Sequence, residues 1–255
     1  MAWFLGEILF VSVNYYVLSA LGICIWIIYT IDHMFDAQRT IYPVLSKRHR
    51  VHQTYSGILG VIIGVLIILG LVVIVPNLSY RVLLYGSILL VFVLIYLLLI
   101  RFGSYFVKEI FAALLYTLGI LAGPLGDYTE SLLSVHYLII FQVFLIAFLN
   151  LLIFSVYEYE MDLSHNFKGL VTHIGVKKSK IIIYSTYIIF IINQFYTWFF
   201  YREMELFFLL ITFFIMASIL FVILYFQKHF QKGAWYRLIG DAVFLLPIWY
   251  LFYGK

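Results

Sequence analysis

Four carboxylates stand in two pairs of the same spacing. Asp32 and Asp36 lie in "YTIDHMFDAQRT" (29–40), and Glu158 and Asp162 lie in "YEYEMDLSHN" (157–166). Each pair follows a long apolar stretch and precedes a basic loop. Residues four apart share one helix face, so each pair aims two carboxylates at one point. At a helix C-terminus the backbone dipole is already negative, which costs each acid about 0.3–1 kcal/mol and its like-charged neighbour a few tenths more. A divalent cation reverses the sign of that cost, and Mg²⁺ commonly bridges carboxylates to substrate phosphates. The cluster "SKRHR" (46–50), with Lys47, Arg48 and Arg50, offers cations for the phosphate oxygens that a metal leaves uncovered. A single pair would equally suit a hydrated helix end beside basic residues placed by topology or anionic lipid. Two pairs of one spacing on one membrane side favour a metal-assisted phosphate site.

The elements that must position these acids are membrane helices. The chain is 65% hydrophobic and 11% charged, against about 25% charged in ordinary globular proteins. Several stretches are long enough to cross a bilayer as helices. Long Leu/Ile/Val/Phe runs without strict alternation exclude a transmembrane barrel. The expected fold is therefore an all-α polytopic bundle, a single domain over 1–255, with about eight spans. Apolar runs and breakers place them near 7–31, 56–75, 80–100, 107–123, 132–156, 180–200, 206–226 and 237–253. Pro76-Asn77 and Gly123-Pro124 supply turn chemistry between spans. Gly60 and Gly64, four apart, predict close helix packing in the second span.

Charge sets the orientation. Of 16 Lys and Arg residues, only Arg81, Arg202 and Lys255 fall outside the odd-numbered loops and their edges (32–55, 101–109, 157–180 and 227–237, the last closed by Arg237). Those loops are therefore expected in the cytoplasm and both termini outside it, in an integral protein of the cell (inner) membrane. No basic residue precedes Arg39, so the first helix reads as a retained span rather than a cleaved signal. The net charge of +4 follows from topology and calls for no nucleic acid. The lone Cys24 cannot form an internal disulfide.

With these residues in view, the sequence resembles the UbiA superfamily of intramembrane prenyltransferases, relatives of 4-hydroxybenzoate polyprenyltransferase. Asp32 and Asp36 match the last two aspartates of an N-D-x-x-D-x-x-x-D motif, with Ile28 and Tyr29 where Asn-Asp is usual. "EYEMDLSHNFKGLVTHIG" (158–175) resembles the D-x-x-x-D motif and its following loop, with Glu158, Glu160 and Asp162 as its acids. "YFVKE", from Tyr105, is similar to a family segment that implies Lys108 as a diphosphate contact. The resemblance implies Asp32, Asp36, Glu158 and Asp162 as the catalytic, metal-holding residues and Mg²⁺ as cofactor. Its partners would be a prenyl diphosphate, a lipid-soluble acceptor and membrane lipid. The allylic cation would be shielded from water within the bundle. The family usually has nine spans, and the one lacking here would precede the first.

Other features compete for a role. Asn14, Asn150 and Asn193 interrupt apolar spans, where helix-to-helix hydrogen bonds are the default. His33, His49, His52, His165 and His173 fall in two cytoplasmic loops, but the dense histidine boxes of di-iron membrane enzymes are lacking. Asp241, at the start of the last span, suits a helix N-terminus. A transporter would show ionisable residues at the bilayer midplane, and the spans show few. The main rival to the enzyme is a family-like scaffold that binds lipid or a membrane partner without turnover, consistent with the missing Asn-Asp half of the first motif.

Overall fold

The computed structural model describes residues 1–9, 11, 13–39, 47–102, 108–128, 132–164, 169–201 and 204–250. Within these stretches it leaves aside the side chains at 8, 36, 38–39, 47–49, 100–102, 127 and 204–205. Every element among the described residues is helical. They are α1 (Ala2–Ile8), α2 (Tyr15–Arg39), α3 (Lys47–Thr54), α4 (Ser56–Leu69), α5 (Tyr80–Phe102), α6 (Lys108–Asp127), α7 (Ser134–Ser164), α8 (Leu170–Ile174), α9 (Val176–Phe200), α10 (Met204–Tyr225), α11 (Gln227–Phe230) and α12 (Trp235–Ala242). α4 runs on through a π turn, Gly70–Ile74, and a 3₁₀ turn, Val75–Asn77. α12 runs on through a 3₁₀ segment, Val243–Trp249, that contains Pro247.

Among the described residues, seven helices are long and apolar enough to cross a membrane. The chain is an integral membrane protein. The expected eighth span corresponds to α12 and its 3₁₀ continuation, where Pro247 cannot donate the backbone bond that a regular helix needs.

α7 is the central mast. Its 31 residues bury a continuous column that includes Val143, Ile146, Leu149, Leu152 and Ile153. α6, α8, α9, α10 and α12 all pack against it. Lipid gives apolar side chains no drive to associate, so polar contacts help fix the neighbours. The buried Gln142 Nε2 donates to Asn193 Oδ1 at 2.7 Å and to Thr197 Oγ1 at 3.2 Å, tying α7 to α9. Asn193 thus makes the interhelical bond expected of it.

The other two asparagines behave differently. Asn14 lies just before α2 and accepts from the Tyr16 N–H at 3.0 Å through Oδ1. The first span therefore starts at Tyr15 rather than near residue 7. It continues through Asp32 and Asp36, which lie within the helix rather than after it. The preceding residues form the separate helix α1, whose Phe4 and Leu5 are buried. Asn150 Oδ1 has no hydrogen-bond partner among the described residues and lies against Gly240 of α12.

Close helix approach occurs in α6 rather than α4. Gly60 and Gly64 have no neighbouring atom within 4 Å of a prospective Cβ, and α4 itself buries no residue. A Cβ on Gly123 would meet Val17 of α2, and one on Gly126 would meet Val82 of α5. Gly123-Pro124 accordingly does not end α6, which continues to Asp127 with Pro124 inside it. The glycine serves contact with α2 instead of a turn.

The same geometry gives a testable consequence at the α7–α12 contact. A Cβ on Gly240 would lie 2.5 Å from Phe154 Cε1 and 2.7 Å from Asn150 Oδ1. Gly240→Ala therefore costs about 1–3 kcal/mol through overpacking, read as a lower thermal-unfolding midpoint in detergent. A midpoint equal to the parent's would show that this contact gives way freely.

Candidate functional site

The acids of the first motif sit in the last turns of α2. Asp32 Oδ1 lies 3.4 Å from Lys108 Nζ, and both side chains are largely enclosed. The next residue, His33, is buried, with its Nδ1 3.8 Å from Asp32 Oδ2. Its ring packs against Tyr29, centroids 4.0 Å apart, and edge-on to His52 of α3 at 5.3 Å. α3 is further fixed to α2 by Gln53 Nε2, which donates to the Ala37 carbonyl at 3.3 Å. Arg50 is exposed on α3. The side chains of Asp36, Lys47 and Arg48 lie outside the described residues, as do those of His49 and His165.

The second pair lies at the end of α7, which extends past the expected end near 156 to Ser164. Glu158 is mostly enclosed and is held from α12. Tyr236 donates its hydroxyl to Glu158 Oε1 at 2.8 Å, and Arg237 donates to that same oxygen as an ion pair. The Arg237 guanidinium lies over the rings of Phe154 at 5.6 Å and Tyr236 at 5.9 Å. Tyr236 in turn stacks on Tyr157 with centroids 4.2 Å apart. All bonds to Glu158 fall on Oε1, which leaves Oε2 without one among the described residues. Asp162 is half-buried one turn further along and Glu160 is exposed.

The two acid-bearing ends are linked through the first turn of α6. Lys108 reaches Asp32, while its neighbour Glu109 turns inward and is buried. Glu109 Oε1 accepts from the Ser155 hydroxyl of α7 at 3.1 Å and from the Leu170 N–H at the start of α8 at 3.1 Å. Ser155 stands one turn before Glu158 on the same helix, so the α6 start touches both acid helices at one end of the bundle. The chain comes very close at Gly169, where a Cβ would lie 2.9 Å from Glu109 Oε1. Thr172 Oγ1 accepts from the Gly169 N–H at 2.7 Å and opens α8.

Glu109, Ser155, Tyr236 and Arg237 were not among the sequence-derived candidates. Arg237 counted there only as a topological charge. Among the described residues, no three His, Cys, Asp or Glu side chains gather as a metal cluster. What the geometry does supply is hard carboxylate oxygen, two enclosed cations and aromatic faces at one end of a helical bundle.

No family model and no curated protein sequence matches the chain. Its fold matches the structure of a UbiA homolog from Archaeoglobus fulgidus with a TM-score of 0.63 and 14% identity, covering 95% of this chain and 87% of that one. It also matches that homolog bound to Cd²⁺, with a TM-score of 0.62 and 14% identity over 95% and 86% of the two chains. The chain has the UbiA fold.

Proposed function

We propose that a chain with this fold and these acid-bearing helix ends is a membrane-embedded prenyltransferase. It moves a prenyl group from a prenyl diphosphate to an aromatic or other lipid-soluble acceptor at the cytoplasmic face, with Mg²⁺ as cofactor. The reading is carried by the first turn of α6, which links Asp32 through Lys108 and the Glu158 helix through Glu109. A fold relative that binds Cd²⁺ is consistent with a metal-dependent site.

The residues present fit such an ion in kind. Asp32, Asp36, Glu158 and Asp162 would hold it, an all-oxygen set of the type Mg²⁺ takes, and Glu158 retains an oxygen outside its pairing with Arg237 and Tyr236. When bound, Mg²⁺ neutralises the charge that develops on the leaving diphosphate. Lys108, enclosed beside Asp32, would hold the diphosphate, with the sequence-derived candidates Lys47, Arg48 and Arg50 as further cations for it. Phe154 and Tyr236 already present their faces to a guanidinium. Such contact is worth about 0.5–2 kcal/mol and helps to hold Arg237 beside Glu158.

The pairing of Arg237 with Glu158 also favours a second reading, in which the fold binds lipid or a membrane partner without turnover. Incubation of purified protein with labelled prenyl diphosphates and a panel of quinone precursors, with and without Mg²⁺, separates the two. The expected result is saturable, Mg²⁺-dependent transfer that falls at least about 100-fold in Asp162→Asn. Tight, metal-independent lipid binding with no turnover would select the scaffold instead.

A further inference from the structure

We infer that Arg237 is an exchangeable counter-ion: it holds Glu158 until a cation–diphosphate pair arrives, and then pairs with the phosphate oxygens. This rests on the metal–diphosphate reading above and assigns a role to α12 within that site. A carboxylate as enclosed as Glu158, with a side chain 12% exposed, needs a compensating charge at all times. Arg237 provides it, and its own side chain is 22% exposed.

A cation that takes Glu158 displaces that compensation. It also adds positive charge beside the guanidinium that lies over Phe154 and Tyr236, and that excess charge calls for an anion. The diphosphate that accompanies the cation is that anion, and a planar guanidinium matches phosphate oxygens in bidentate fashion. Exchange of partners keeps both enclosed charges matched before and after binding. The geometry favours exchange over a permanent latch because both α12 donors converge on Oε1, while Oε2 carries no bond among the described residues. An incoming cation can therefore engage Glu158 before Arg237 lets go.

The prediction is a pair of changes with opposite sign. The full chain in nanodiscs is titrated with Mn²⁺ alone and with preformed Mn²⁺–pyrophosphate, and binding is followed by electron paramagnetic resonance. Removing a competing cation in Arg237→Gln tightens Mn²⁺ alone by about 3–10-fold and weakens Mn²⁺–pyrophosphate by about tenfold. Arg237→Lys keeps the charge but loses the planar fork, so it shifts both constants in the same directions by less. It also carries the test if the Gln variant does not fold. Weakening of both ligands, or no change in either, overturns the exchange and leaves Arg237 a structural latch. A parent protein that binds neither probe overturns the metal–diphosphate reading itself, an outcome distinct from failure of the exchange.

Discussion

Glu109→Ala lowers stability by about 3–5 kcal/mol, whereas Glu109→Gln costs less than about 1 kcal/mol. The contrast follows from which oxygen does the accepting. Oε1 takes both the Ser155 hydroxyl and the Leu170 N–H, and Oε2 adds only a longer contact of 3.3 Å to the same N–H. Alanine strips the acceptor from two donors in a buried position and leaves a cavity where α6, α7 and α8 meet. An unpartnered buried donor costs about 1–3 kcal/mol, although Ser155 can turn back to its own helix and recover part of that. Glutamine keeps a carbonyl oxygen at the Oε1 position and preserves both bonds. Thermal unfolding of both variants in one detergent, at one scan rate, measures the difference. If the alanine variant melts with the parent, Glu109 is not the tie between the two acid helices.

The sequence made legible those features that depend on runs of like residues. Apolar length alone locates α7 and α9. Four-residue spacing places Glu158 and Asp162 on one face, and the structure keeps them on one continuous helix. What it misjudged depended on single contacts. Asn14 looks like any polar insert in an apolar run, and one bond to the Tyr16 N–H makes it the start of α2. Gly123-Pro124 has the chemistry of a turn, yet α6 carries the proline internally and uses the glycine to meet Val17.

The parts of the site that went unseen are pairings between distant residues. Ser155 and Glu109 are 46 positions apart, and Arg237 and Glu158 are 79 apart. No local pattern marks such partners. A faint signal existed in both cases: Glu109 and Arg237 are charged residues in the first turn of an apolar helix, where such a charge faces either solvent or a polar group of another helix. The neighbouring residues decide between these, and they come from other helices.

Asp32→Asn is expected to lower kcat/KM for prenyl transfer by at least about 100-fold, equivalent to about 2.7 kcal/mol of transition-state stabilisation. Asparagine keeps the shape and one oxygen but removes the charge that balances Lys108 and helps to hold the metal. Lys108→Gln should cost less, about tenfold, and mainly through KM for the diphosphate, because its amine sits 3.4 Å from Asp32 rather than deep in the core. The double variant distinguishes two roles for the lysine. If Lys108 touches the diphosphate itself, the two losses multiply toward about 1,000-fold; if it only orients Asp32, the double variant is no worse than Asp32→Asn. A turnover within about twofold of the parent in Asp32→Asn would remove this carboxylate from the reaction. The site would then have to be rebuilt around Glu158 and Asp162, because the α6 tie to the first motif would be structural.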